Sequence, residues 1–220
     1  MKNIKAIIFD AYGTLFDVNS AAEKCKEKIG DKWEAFANYW RTTQLEYTWL
    51  RSLMKRHKDF WQVTEDSLDK SMKVFNIDSS MRDELLDLYK ILSPYSEVPE
   101  VLKSLKNKKY KISILSNGTP SLLNTLVKSN NLENLFDDIF SIEEVGIYKP
   151  DSKVYDMPIK KYKIKNNEVT FLSANTWDVS GGGNYGFNSI WVNRNNNIFD
   201  NLDYRPKHEI KSLEQLLNLI

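Results

Sequence analysis

The chain has 220 residues, with 31 Lys and Arg against 30 Asp and Glu, a formal net charge of +1 and a single cysteine, Cys25. This length holds one domain with a sizeable insert or two small domains. The balanced charge supplies no global field for nucleic acid or an anionic membrane, and one cysteine excludes an intramolecular disulfide framework and a cysteine-rich metal site. No apolar run approaches the ~20 residues that cross a bilayer. Strand-like sequence begins by Ile4, which leaves no room for a signal peptide. A cytoplasmic protein with no membrane or nucleic-acid partner is the expectation.

Ala6 to Phe9 is an unbroken apolar run and reads as a strand buried on both faces of a parallel sheet. Asp10 follows directly, at the strand end where open α/β sheets place ligands. Gly13 lets the chain turn away, and Thr14 adds a hydroxyl close to Asp10. On these residues alone, Asp10 is either a ligand-facing carboxylate or a turn cap.

From Asp17 to Ser93 the pattern is all helix. Ala21 to Ile29 forms a short helix stopped by Gly30. Asp31 caps a second helix that runs to about Arg56. Along it Trp33, Phe36, Ala37, Trp40, Gln44, Tyr47 and Met54 recur at spacings of three, four or seven and make one broad apolar face. That face reads as core packing. Arg41, Leu45 and Thr48 form a neighbouring stripe, in which Arg41 is either a snorkelling surface residue or an anion ligand. Phe60 and Trp61 follow a basic turn. A third helix starts at Thr64 and a fourth at Ser79 or Ser80, and Ser93-Pro94 closes the insert. The expected organisation is an α/β core from residues 1–16 and 95–220 with a helical cap over 17–94.

Beyond Val98 strands and helices alternate. Val101 to Leu105 is helical, Lys111 to Leu115 is a strand ending in Ser116-Asn117-Gly118, and Pro120 to Lys128 is helical. A short strand over Asp138 to Ile142 leads to a loop carrying Lys149. Asp151 caps the next helix, which Pro158 should kink or shorten. Val169 to Leu172 is a strand ending in Ser173-Ala174-Asn175-Thr176-Trp177-Asp178. A small-residue helix through Gly181 to Gly183 stops at Gly186, Ser189 to Val192 is a further strand, and Leu213 to Leu219 is a terminal helix. This alternation predicts a doubly wound, Rossmann-like parallel sheet with an inserted helical cap. Its loops bring Asp10-Tyr12-Thr14, Ser116-Asn117, Lys149 and Ser173-Asn175-Asp178 to one edge.

Asp10-Ala11-Tyr12-Gly13-Thr14-Leu15 resembles the nucleophile motif of the haloacid dehalogenase superfamily. Tyr12 stands where most members, magnesium-dependent phosphatases, carry a second Asp, and this points to the L-2-haloacid dehalogenase branch. The other three clusters match the remaining superfamily motifs in order and spacing across essentially the whole chain. Phe171 to Asp178 and Ile190 to Arg194 resemble the same branch.

The resemblance implies hydrolysis of short L-2-haloacids to D-2-hydroxy acids, with a 2-haloacid and a halide ion as small-molecule partners, no metal or other cofactor, and a homodimer. It implies that Asp10 attacks the halogenated carbon and forms an ester, with Lys149 keeping Asp10 ionised. Thr14, Ser116 and the Tyr12-Gly13 backbone hold the substrate carboxylate. Arg41 and Asn117 receive the halide, and Leu45, Phe60 and Trp177 keep the pocket dry. Asp178, oriented by Ser173 and Asn175, positions the hydrolytic water.

Tyr12 and Ala174 both stand where a phosphatase would carry an acid. A phosphate monoester wants a proton for its leaving group and a metal for its oxygens, whereas a halide needs only a stabilised negative charge. Thr176 and Pro158 depart from the branch. Two alternatives are a phosphatase with unusual substitutions and a non-catalytic relative that binds a small carboxylate or a protein. His57 and His208 lie in no motif, and no nucleophile elbow is present, which argues against an α/β-hydrolase type of dehalogenase.

Overall fold

The computed structural model describes residues 3–220. Its six strands are β1 (Ala6–Phe9), β2 (Lys111–Ser116), β3 (Asp138–Ser141), β4 (Val169–Ser173), β5 (Asn188–Val192) and β6 (His208–Ile210). They form one sheet in the order β3-β2-β1-β4-β5-β6, and every neighbouring pair is parallel. All residues of β1 and β4 are buried. This is what flanking helices impose on central parallel strands, and it is why these segments carry no polar alternation. The chain order reverses between β1 and β4, so a crevice opens at their carboxyl ends. Phe9 stands level with Ile114 and Leu172, which puts Asp10 at that crevice beside the ends of β2 and β4.

Five helices lie between β1 and the next core helix: α1 (Ser20–Lys24), α2 (Lys26–Ile29), α3 (Trp33–Leu53), α4 (Phe60–Phe75) and α5 (Arg82–Lys90). No described residue between Ser20 and Lys90 joins a strand. The two segments linking these helices to the sheet run side by side. Asp17 donates its backbone N–H to Ser93 at 2.9 Å, and Tyr95 donates to Leu15 at 3.0 Å. The core continues with α6 (Val98–Asn107), α7 (Pro120–Ser129), α8 (Ser152–Tyr162) and α9 (Thr176–Tyr185). No helix among the described residues is long and apolar enough to cross a membrane.

Several element bounds differ from the sequence expectation. The first helix breaks at Cys25 into α1 and α2. Asp31 does not cap α3, whose N-cap is Lys32 with no side-chain bond. Phe36, Ala37, Trp40 and Gln44 form its buried face, but Met54 lies past the helix end and is 61% exposed. The third helix begins at Phe60, four residues before Thr64, because the Asp59 carboxylate accepts the Gln62 backbone N–H at 2.8 Å. Pro158 does not shorten α8, which runs four residues beyond it with the ring buried. The expected terminal helix is a 3-10 turn over Leu213–Asn218 with Leu213 and Leu216 buried. That spacing of three places both side chains on one face of a 3-10 turn. Strand β6 was not anticipated, since three residues with one buried apolar side chain carry too little pattern.

The glycines of α9 have a packing cause. A Cβ on Gly181 would overlap the Tyr155 hydroxyl and lie 2.7 Å from Pro150 Cβ, and one on Gly182 would lie 2.7 Å from the Phe171 ring. Alanine at position 181 therefore meets an occupied space, and overpacking of this kind costs about 1–3 kcal/mol. Chemical denaturation of Gly181→Ala should show a loss of that size, and a variant as stable as the parent would contradict this account.

Candidate active site

Asp10 leaves β1 and is 5% exposed. Its backbone N–H donates to the Leu172 carbonyl at 2.9 Å, which fixes the turn to the end of β4. Its Oδ2 accepts from Thr14 Oγ1 at 3.1 Å and from Asn175 Nδ2 at 2.9 Å, and its Oδ1 accepts from Lys149 Nζ at 3.2 Å. Both carboxylate oxygens are held in a fixed plane. Thr14 also accepts the Ala174 backbone N–H at 2.8 Å, and Asn175 Nδ2 reaches the Tyr12 carbonyl at 3.3 Å. The ends of β1 and β4 are thus stitched together around the carboxylate.

Lys149 is fully buried and bridges two acids. Its Nζ lies 3.2 Å from Asp10 Oδ1 and 2.9 Å from Asp178 Oδ2. Burial disfavours the ammonium, but the two carboxylates outweigh it and hold Lys149 above its usual range, hence protonated. Asp178 is pushed up to about 6, first by burial and against the pull of Lys149, with Asp10 adding repulsion. Its second oxygen accepts from the Tyr155 hydroxyl at 2.7 Å. Burial raises the Tyr155 phenol well above its ordinary value, so it stays a donor. Tyr155 belongs to none of the motifs. The space that a Cβ on Gly181 would fill is what admits its hydroxyl to Asp178.

The remaining site residues fall into two groups. Ser116, Ser173 and Asn117 shape the loops. Ser116 Oγ accepts the Gly118 backbone N–H at 3.1 Å, and Ser173 Oγ accepts that of Asn175 at 3.1 Å. Asn117 Oδ1 accepts the Lys149 backbone N–H at 3.1 Å, which ties the lysine loop to the end of β2. Arg41, Leu45 and Phe60 belong to the helical insert, and Tyr12 and Trp177 meet it from the core. The Tyr12 ring lies 5.1 Å from Phe60 and 5.8 Å from Tyr89. Burial lifts its phenol well above the usual value. Arg41 Nη1 donates to Gln44 Oε1 at 2.8 Å, and Leu45, half-buried, stands one turn further along α3. Trp177 meets the Trp49 ring edge-on at 5.4 Å. Asn175 and Trp177 also border an open pocket of about 610 Å³ that reaches the exposed Ile198.

Thr176, a departure from the dehalogenase pattern, uses its hydroxyl to bind Asp200 Oδ2 at 2.5 Å. It draws the loop after β5 onto the start of α9 and leaves the Asn175 amide bonded to Asp10.

Magnesium is common in the superfamily that the motifs resemble, but this donor set does not fit it. The space between Asp10 and Asp178 is already bridged by the Lys149 ammonium. Tyr12 and Ala174 supply no carboxylate, and hard divalent cations want six or more oxygens. Among the described residues no group of three or more His, Cys, Asp or Glu side chains is placed to hold a metal.

Comparisons with known proteins identify the family. A family model for haloacid dehalogenase-like hydrolases matches residues 4–186. The (S)-2-haloacid dehalogenase of Pseudomonas sp. (strain YL) is 39% identical over 221 residues, covering 100% of this chain and 95% of that protein. A crystal structure of a dehalogenase superposes with a TM-score of 0.98 at 36% identity, covering 100% of this chain and 98% of that one. The L-2-haloacid dehalogenase of Xanthobacter autotrophicus, with chloropropionic acid covalently bound, superposes with a TM-score of 0.91 at 31% identity, covering 98% of both chains. On sheet order, inserted helices and full-length similarity together, the chain belongs to the family of haloacid dehalogenase-like hydrolases.

Proposed function

We propose that the chain hydrolyses short L-2-haloacids to D-2-hydroxy acids through an ester on Asp10. The observation that carries this reading is the Lys149 ammonium between Asp10 and Asp178. It sets a fixed positive charge beside Asp10 that favours an anionic substrate, while Tyr12 and Ala174 withhold the carboxylates that a metal for phosphoryl transfer would need. The chloropropionic acid covalently bound in the Xanthobacter relative supports the ester.

In the first half-reaction an Asp10 oxygen attacks the C2 carbon from the side opposite the halogen. The C–O bond forms as the carbon–halogen bond breaks, and the halide leaves with the bonding pair. Asn175, Thr14 and Lys149 hold Asp10 for in-line approach. Ser116, whose Oγ only accepts from Gly118, keeps its hydroxyl proton for the substrate carboxylate, whereas Thr14 spends its own on Asp10 and Gly13 spends its N–H on the Phe16 carbonyl, so these two expected contacts are not available as the loop stands. Arg41 and Asn117 receive the departing charge, and Leu45, Phe60 and Trp177 exclude water from it. In the second half-reaction Asp178, oriented by Tyr155 and Lys149 and not by the expected Ser173 and Asn175, whose side chains bond the Asn175 backbone and Asp10, takes a proton from water that attacks the Asp10 carboxyl carbon. The ester C–O bond breaks there, and the alkoxide of the hydroxy acid takes up that proton. Configuration at C2 inverts once.

The division into a core of residues 1–16 and 95–220 and a cap over 17–94 belongs to this reading, with residues 1 and 2 outside the described ones. The exposed Leu50, Leu53, Met54 and Val74 on α3, its end and α4 support a homodimer through this face. The buried, unpaired Cys25 suits a cytoplasmic location.

Two measurements test the chemistry. Halide release from L-2-chloropropionate should survive exhaustive chelation by EDTA, and p-nitrophenyl phosphate should give no phosphate. Activity lost on chelation and restored by magnesium would contradict the reading. The second concerns acid. Asp178 must be ionised to accept a proton, and its carboxyl is pushed up to about 6. Turnover should therefore fall as pH drops through about 6, by roughly tenfold per unit below it. Asp178→Asn should release about one equivalent of halide per site and then slow by at least ~100-fold, with the ester detectable by mass. Undiminished turnover in that variant would remove Asp178 from the mechanism.

A further inference from the structure

Gln44 sits in the aromatic face of α3, yet it is polar and 1% exposed. Its carboxamide is fully engaged. Oε1 accepts from Arg41 Nη1 at 2.8 Å, Nε2 donates to Thr64 Oγ1 at 2.7 Å, and the Tyr89 hydroxyl lies 3.0 Å from Nε2 and 3.3 Å from Oε1. The direction of this network is determined. Thr64 spends its one hydroxyl proton on the Phe60 carbonyl at 2.7 Å, so it can only accept from Gln44. The amide nitrogen must face Thr64, and the amide oxygen must then face Arg41. A donor chain runs from Arg41 on α3 through Gln44 and Thr64 to the first residue of α4.

That chain ends where the site begins. Phe60 packs on Tyr12 at 5.1 Å, Tyr89 lies 5.8 Å from the same ring, and Tyr12 is two residues from Asp10. Arg41, Gln44 and Tyr89 together border a small cavity of about 10 Å³, about the least space that holds one water. A free arginine has a long flexible stem and no reason to hold one orientation; one guanidinium nitrogen pinned by a buried amide leaves the rest of the planar fork aimed.

We propose that Gln44 is a positioning residue: it sets the Arg41 guanidinium for the departing halide and links its placement to Phe60 through Thr64. The inference rests on Arg41 acting at the leaving group, as proposed above. Gln44 touches no reacting atom in this scheme and acts through Arg41 alone.

The test is a double-mutant cycle read in single turnover with L-2-chloropropionate and L-2-bromopropionate, timing halide release and ester hydrolysis separately. Gln44→Met should slow chloride release about 10-fold, slow bromide release less because bromide is the better leaving group, and leave ester hydrolysis unchanged. In an Arg41→Lys background, which alone should slow halide release, adding Gln44→Met should change the rate by under about twofold, since the two act as a unit. Thr64→Val, which removes the orienting hydroxyl, should give the same pattern more weakly and serves if Gln44→Met does not fold. Independent, multiplying effects of Gln44 and Arg41, or equal slowing of both half-reactions, would overturn the proposal and leave the dehalogenase reading intact. Wild-type protein that releases no halide at all would remove both.

Discussion

Three ionisable groups share one dry space at the end of the sheet: Asp10, Lys149 and Asp178, all nearly or fully buried. Burying a charge is costly unless it is paired and hydrogen-bonded, and here the pairing is reciprocal. Lys149 contacts both acids, Thr14 and Asn175 donate to the first, and Tyr155 donates to the second. Removing Lys149 alone would leave two carboxylates facing each other without a counter-charge. The same arrangement divides the labour between the acids. Asp10 is held rigidly with both oxygens engaged, whereas Asp178, raised towards neutrality, is suited to exchange a proton. Two acids in different environments take different roles.

The sheet and the inserted helices contribute separately to this site. The sheet supplies the charges from loops after β1 and β3 and from the first turn of α9 after β4, and Asn117 after β2 fastens the backbone of Lys149. The helices supply Arg41 and an aromatic wall in which Phe60 and Tyr89 meet Tyr12 and Trp40 backs Tyr89. A set of bonds joins the two parts beside the lysine loop. Glu143 accepts the Phe60 backbone N–H at 3.3 Å and lies 2.9 Å from His57 Nε2, and Tyr148 donates its hydroxyl to the Lys58 carbonyl at 2.6 Å. Phe60 and Lys149 are thereby positioned from the same junction.

The central strands and the polar clusters at their ends were legible because each signal is local: an apolar run, then a turn, then a carboxylate or hydroxyl. Asp10, Thr14, Lys149, Asn175 and Asp178 meet as the topology required. What escaped was set by tertiary contact. Tyr155 looks like an ordinary helix aromatic, and only its approach to Asp178 past Gly181 gives it a role. Gln44 was absorbed into an apolar face because periodicity records where a side chain points and not what it bonds. His57, outside every motif, proved to be a contact between the two parts. Thr176 departed from pattern without disturbing Asn175, since its hydroxyl found Asp200. The misplaced start of α4 is different in kind, for the Asp59 cap was readable in the sequence.

The central claim is that Asp10 attacks carbon directly and does not act as a base on water. Stereochemistry cannot separate the two routes, because each inverts C2 once. Oxygen origin can. With enzyme in excess over L-2-chloropropionate in 18O-water, the first turnover should give D-lactate whose new hydroxyl carries ordinary oxygen from Asp10, and after many turnovers the label should reside in Asp10 itself. Lactate labelled in the first turnover, with Asp10 unlabelled, would show that water attacks the substrate and would contradict the account.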